Sequence, residues 1–250
     1  MSKRIAFAKN FPVKQMSEDI GQAARIGANS GVLICQLTTL TPLSIRSVFK
    51  NTPNPAWIPG SSLRGMVRNM AEVLGAGCGR LTDGATAVCT AERTCVVCRV
   101  FGYVEKEEGT ASKVKFRDSD RIPVKYDRID VPFERPAPEG VAGWILFPHD
   151  DDAKTYDGKE PFVIEETKFR FRVDYLNLDA EEYAIFRFAL ELKYGAVDLC
   201  HKLGFAKAAG FGSCVVRVLG DKARPVWPEI ERFLKGASWD TIAKARSYRK

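Results

Sequence analysis

Residues Thr167 to Tyr175, T-K-F-R-F-R-V-D-Y, alternate without a break: Phe169, Phe171, Val173 and Tyr175 take one side, and Lys168, Arg170, Arg172 and Asp174 the other. Successive side chains of a strand point to opposite faces, so this segment is specified as a β-strand with one face in a core and the other in water. Directly after it, Asp179 and Glu182 stand at capping-box spacing. Tyr183, Phe186, Ala189, Leu190 and Leu192 then continue at the three-to-four period of an amphipathic helix, which Gly195 is expected to stop.

Other segments read in the same way. Val32 to Leu40 (V-L-I-C-Q-L-T-T-L) is apolar and β-branched and ends at Thr41-Pro42, so it reads as a strand, as does Ser213 to Leu219. Between them Pro59 and Gly60 make a turn, Ser61 or Ser62 is a candidate N-cap, and Leu63, Met66, Val67, Met70, Val73 and Leu74 recur at helical spacing. The first-turn amides of such a helix point at whatever lies beyond it and favour an anion. Arg64 and Arg68 are four residues apart and share a face that is not the apolar one. An ordinary capped surface helix with solvated arginines is the alternative.

Arg99 to Tyr103 and Ser112 to Asp118 read as short strands, the second placing Lys113, Lys115 and Arg117 on one face. Arg121 to Glu139 is rich in proline and charge and reads as an exposed excursion, with Trp144 to Phe147 as its return strand. Asp150, Asp151 and Asp152 read as a solvated acidic loop, His149 and His201 as surface histidines, and Trp227 to Lys235 and Trp239 to Tyr248 as terminal helices.

Of seven cysteines, Cys35, Cys200 and Cys214 are scattered, whereas Cys78, Cys89, Cys95 and Cys98 cluster in a stretch broken by Gly75, Gly77, Gly79 and Gly84. Four thiolates that converge tetrahedrally make a structural zinc site, and Cys95-Val96-Val97-Cys98 has the usual two-residue gap. So little apolar side chain lies around them that zinc would serve as the core of this stretch. Reduced buried thiols and disulfides are the alternatives, the latter disfavoured inside a cell. The segment from Gly204 to Gly212 sets Lys207 among Gly204, Gly210 and Gly212. Backbone amides of such a loop can approach an anion closely, or the loop is simply a tight turn into a strand. Phe205 and Phe211 could stack on bases or pack on the core.

The chain has 250 residues, 45% of them apolar, enough for one large domain over 1–250, and a net charge of +7 that suits a polyanionic partner. No stretch has the roughly 18 uninterrupted apolar residues of a membrane span, and the start M-S-K-R-I-A-F-A-K-N-F-P-V-K-Q has neither a long apolar stretch nor a cleavage site, so a cytoplasmic protein is expected.

The ordered set Ile58-Pro59-Gly60-Ser61-Ser62-Leu63-Arg64-Gly65, Cys98-Arg99-Val100-Phe101-Gly102, Lys115-Phe116-Arg117-Asp118 and Gly210-Phe211-Gly212 resembles the RAMP superfamily. More narrowly it resembles the type III group of CRISPR effector backbone subunits, the seventh Cas family, over about Val32 to Leu219. The resemblance implies an α+β chain with a ferredoxin-like, RRM-type core, a zinc-binding insertion at 75–98 and a thumb-like β-hairpin insertion at 119–145. It also implies a role in antiviral defence. Copies of the chain would stack along a guide RNA, present it to a complementary target nucleic acid, RNA being the expected one, and join other CRISPR effector subunits. Carried over residue by residue, Ser61, Ser62, Arg64 and Arg68, with Gly204, Lys207, Gly210, Phe211 and Gly212, would hold guide phosphates. Lys113 and Arg117 would add to them, and Lys125 and Arg128 would lie on the thumb.

Target-cleaving members of that group carry an acidic residue in the loop before the I-P-G-S-S helix. Here that loop, Thr41 to Trp57, contains no Asp, Glu or His, and Ser44 and Ser47 have no evident partner base. Arg46 could instead hold a phosphate. A non-cleaving subunit is therefore expected, with no catalytic residue of its own and a nuclease elsewhere in the complex. The alternative is a metal-dependent endoribonuclease in which Asp118 or Asp130 replaces the missing acid. An RRM-like zinc protein with another RNA partner is disfavoured, because no RNP-type aromatic run is present.

Overall fold

The structure is a computed structural model that describes residues 5–6, 29–72, 74, 89, 94–105, 108–129, 145–146, 160–194 and 197–220. Cys78, Asp130, His149, Asp150 to Asp152, the glycines at 75, 77, 79, 84 and 195, and both terminal helices read from the sequence lie outside the described residues.

Its centre is a five-stranded antiparallel sheet. We label the main elements β1 (Asn29–Thr39), α1 (Gly60–Ala71), α2 (Val96–Phe101), β2 (Val114–Phe116), β3 (Tyr126–Ile129), β4 (Glu160–Val163), β5 (Lys168–Leu178), α3 (Ala180–Glu191), β6 (His201–Lys202) and β7 (Ser213–Leu219). The sheet order is β6–β7–β1–β5–β2. Stripped of its insertions, the chain reads β1-α1-β2-β5-α3-β7, the ferredoxin-like βαββαβ arrangement.

The alternation of β5 fixes the layers. Phe169, Phe171 and Val173 lie opposite Leu37, Cys35 and Leu33 of β1, and all six are buried. Helices α1 and α3 cover this face with Leu63, Val67 and Met70 from one and Phe186, Ala189 and Leu190 from the other. At roughly 1.5–3 kcal/mol for each fully buried large apolar side chain, this core is the main favourable term in folding. The opposite face of the sheet has no helix on it among the described residues.

Helix α3 starts as read: Asp179 Oδ1 accepts from the Glu182 amide at 2.7 Å, and Glu182 Oε2 accepts from the Asp179 amide at 3.0 Å. It stops earlier than Gly195, because Leu192 takes a left-handed conformation at φ 48°. The segment expected as a strand at Arg99 to Tyr103 is largely helix α2. Cys95 caps that helix with its sulfur, and Gly102, at φ 72°, ends it. Local capping thus overrides the strand read over Arg99 to Tyr103. Ile145–Leu146 pairs with Ile5–Ala6, so the partner of β3 is not Trp144 to Phe147 but β4. His201 is a further correction: it is fully buried, its Nε2 lying 3.0 Å from the Leu190 carbonyl oxygen.

Candidate nucleic-acid interface

Helix α1 begins hard against β2. A Cβ on Gly60 would lie 2.3 Å from the Phe116 carbonyl oxygen, so only glycine lets the helix start there. Pro59, at φ −60°, is the N-cap residue and gives no side-chain cap. Neither Ser61 nor Ser62 is the N-cap, because the Pro-Gly turn starts the helix one or two residues earlier than the serines alone suggest. They sit in its first turn, Ser61 exposed and Ser62 half-buried. The Gly60 amide donates to Asp118 Oδ1 at 2.8 Å, and the Ile58 amide to Ser119 Oγ at 2.8 Å. Asp118 therefore occupies the amide end of the helix, where a carboxylate also meets the positive end of the dipole.

Arg64 and Arg68 share the face expected of them, and that face looks onto the C-terminal end of α2. Arg64 Nη2 donates to the Phe101 carbonyl. Arg68 Nη1 donates to the Gly102 carbonyl at 3.0 Å, its Nε to Glu72 Oε1 at 2.9 Å, and its Nη2 lies 3.7 Å from Cys98 Sγ. Burial first, and Arg68 second, lower the pKa of Arg64 from its usual value. Both arginines meet the negative end of a short helix and fasten it to α1. Beside them opens a groove of about 400 Å³ lined by Gly60, Ser61, Arg64, Ser112, Lys115 and Phe116, among others. Ser61, Arg64 and Lys115 among its lining residues are types suited to phosphate oxygens.

The glycine loop is built by close backbone crossings. Gly204 has φ 82°, and a Cβ there would lie 2.2 Å from the Ser44 carbonyl oxygen; Gly212 has φ 73°, with Leu203 O at 1.9 Å. The loop closes around Lys202, which is 8% exposed and donates to the carbonyls of Gly210 at 2.5 Å and Phe211 at 3.1 Å. Sequence reasoning passed over Lys202, and its only signal was a lysine between His201 and Leu203 just before the loop. Lys207, half-buried, opens a short 3-10 turn over Lys207–Ala209. Phe211 is buried against Phe162, with ring centroids 4.8 Å apart. Phe205 lies under Arg46, whose guanidinium is 3.7 Å from the ring centroid and bonds Glu160 at 2.7 Å.

The remaining basic positions are dispersed. Lys113 Nζ bonds the buried Glu182 at 2.7 Å, and Arg99 Nε reaches the same carboxylate at 3.1 Å. Arg117 Nε bonds Asp174 at 2.9 Å. Lys125 and Arg128 are exposed at the start of the excursion. The structure thus gathers Ser61, Arg64 and Lys115 at one groove and sets Arg46 against the glycine loop.

Cys89, Cys95 and Cys98 present sulfurs within 4.8 Å of one another. The Cys95 amide points at Cys89 Sγ at 3.2 Å and the Cys98 amide at Cys95 Sγ at 3.4 Å. Three soft sulfur donors at this spacing, two of them facing backbone amides, fit a tetrahedral thiophilic ion such as zinc. The scattered cysteines differ. Burial pushes the Cys35 thiol up to about 12, and Cys200 and Cys214 are buried.

A family model described as the RAMP superfamily matches residues 36–215, from within β1 to within β7. Among solved structures, Csc2 of Thermofilum pendens is similar at 16% identity and a TM-score of 0.44, over 85% of this chain and 73% of that one. No curated protein matches.

Proposed function

This chain belongs to the RAMP superfamily, and we propose that within it the chain is a guide-RNA-binding backbone subunit of a multisubunit CRISPR effector complex. The observation that carries this reading is the groove at the α1 N-terminus, where Ser61, Arg64 and Lys115 line one opening in a chain of net charge +7. Such contacts hold a sugar-phosphate backbone and leave sequence to base pairing. Arg46 and the glycine loop lie on a second stretch of the same strand, and Lys125 and Arg128 on the thumb at 119–145. Copies of the chain assemble along the guide in the cytoplasm with other effector subunits.

The subunit holds RNA and does not cut it. The acid-free loop Thr41 to Trp57 offers no general base; Asp118, a substitute read from the sequence, is engaged with the Gly60 amide, and Glu160, which reaches the loop, is held in an ion pair by Arg46. Cys89, Cys95 and Cys98 would hold a structural zinc that fixes the entry to α2, with Cys78, which lies outside the described residues, as the fourth ligand expected from the sequence.

Native purification tests the reading. The expected result is co-purification with a short guide of fixed register, and no product from a complementary target RNA in Mg²⁺ or Mn²⁺. A metal-dependent product that disappears with Asp118→Asn, which keeps an acceptor for Gly60, would replace this reading with the endoribonuclease. A chain that purifies free of RNA and ignores added RNA would refute both.

A further inference from the structure

The face of the sheet turned away from α1 and α3 carries an ordered set of cations. Register sets Arg170 of β5 opposite Gln36 of β1, and Gln36 opposite Arg217 of β7. Two residues along β5 in either direction stand Lys168 and Arg172, and Lys115 of β2 lies opposite Asp174. Lys115, Lys168, Arg170, Arg172 and Arg217 are all exposed. Asp174 is the one acid on this face among the described residues of β1, β2, β5 and β7. It is held by Arg172 at 2.5 Å and Arg117 at 2.9 Å.

We propose that this open face is a second RNA-backbone track, over which a single strand leaving the groove at Lys115 runs diagonally to Arg217. The proposal rests on the RNA-binding reading of that groove and adds where the strand goes next. Lys115 belongs to both surfaces: it lines the groove and stands at the edge of the sheet face. With strands about 4.8 Å apart and about 6.7 Å between same-face neighbours, the path from Lys115 to Arg217 is about 20 Å. Cations in excess with their single acid neutralised complement a polyanion. The described open-face positions of these strands include no aromatic, so bases find no stacking platform and contact is with phosphates. The exposed aliphatics Val32 and Ile34 stand opposite Asp174 and Arg172, so the strand passes beside them as it crosses β1 towards Gln36 and Arg217.

The test uses the full chain and a fluorescein-labelled oligouridine in anisotropy titrations at several salt concentrations. Lys168→Gln, Arg170→Gln and Arg217→Gln are combined in one variant, Arg64→Gln is made separately, and urea titrations confirm that both are folded. The triple variant is expected to bind at least about tenfold more weakly at low salt, with a salt slope smaller by about 2, the loss of three single-strand phosphate contacts. If Arg64→Gln weakens binding and the triple variant leaves affinity and slope unchanged, the sheet track is refuted and the groove reading stands. Should the triple variant alone weaken binding, the track stands without the groove. A triple variant with unchanged RNA binding but altered sedimentation without RNA would make the face a protein interface and overturn the proposal.

Discussion

Gly60 and Gly65 lie in the same helix, and replacing each by alanine is expected to move stability in opposite directions. At Gly65 nothing lies within 4 Å of an added Cβ, so the substitution only restricts the unfolded chain and removes the helix penalty of glycine. It should stabilise by about 0.5–1 kcal/mol. At Gly60 the same methyl meets Phe116 O at 2.3 Å and the Arg117 carbonyl carbon at 2.9 Å, both backbone atoms that cannot rotate away. Ordinary contact requires the start of α1 to retreat from β2 by about 1 Å, which strains a packed core by about 1–3 kcal/mol. The retreat also stretches the 2.8 Å bond from the Gly60 amide to Asp118, a charge-assisted contact of about 1.5–3 kcal/mol. Against the propensity gain, the net loss is about 1.5–5.5 kcal/mol. Urea titrations followed by circular dichroism measure both variants against the parent. If both shift the same way, or Gly60→Ala stays within about 0.5 kcal/mol of the parent, the close approach of α1 to β2 is not what holds this helix start.

Lys202→Met should cost about 2–3 kcal/mol in the same assay, because the Gly210 and Phe211 carbonyls lose a buried ammonium donor. The purified chain should carry one equivalent of zinc by atomic emission; Cys95→Ser should lower that content well below one, and a strong chelator should lower the thermal midpoint of the parent by several degrees. A metal-free chain with an unchanged midpoint refutes the thiolate site. The Cys35 thiol, raised from 9.0 to about 12 by burial, keeps its proton more tightly folded than unfolded. Its contribution is complete below pH 9 and is lost as pH climbs from 9 towards 12. Urea midpoints across that window should fall more steeply in the parent than in Cys35→Ala, and parallel curves would count against the burial of this thiol.

Features governed by neighbours in sequence were legible. The alternation of β5 and the Asp179–Glu182 capping box lie within single turns or pleats, so the residues alone decide them. The Cys95–Cys98 pair came through for the same reason. What failed to show depends on distant partners. Glu182 closes its own box and also neutralises Lys113 and Arg99, 69 and 83 residues away, which removed Lys113 from the solvent face its period assigned. Arg64 and Arg68 were correctly placed on one face, but nothing local says that the end of α2 would come to meet them. The capping of α1 by Asp118 escaped notice because its acceptor lies 58 residues downstream. Arg99 to Phe101, read as the start of a strand, is the second half of α2, because the Cys95 sulfur cap and the stop at Gly102 set a helix there.

The central position of β1 has a consequence for how the chain is made. Both of its neighbours come far later: Leu37 pairs with Phe169 and with Val216. At about 5–20 residues per second on the ribosome, β1 waits roughly 7 to 26 seconds before its first edge can be paired. During that interval Val32, Leu33, Ile34 and Cys35 form an apolar strand with two open edges, the arrangement most prone to join another chain. A nascent chain halted before Lys168 is therefore expected to be insoluble, and slow formation of the native sheet should make yield sensitive to temperature and to chaperone supply.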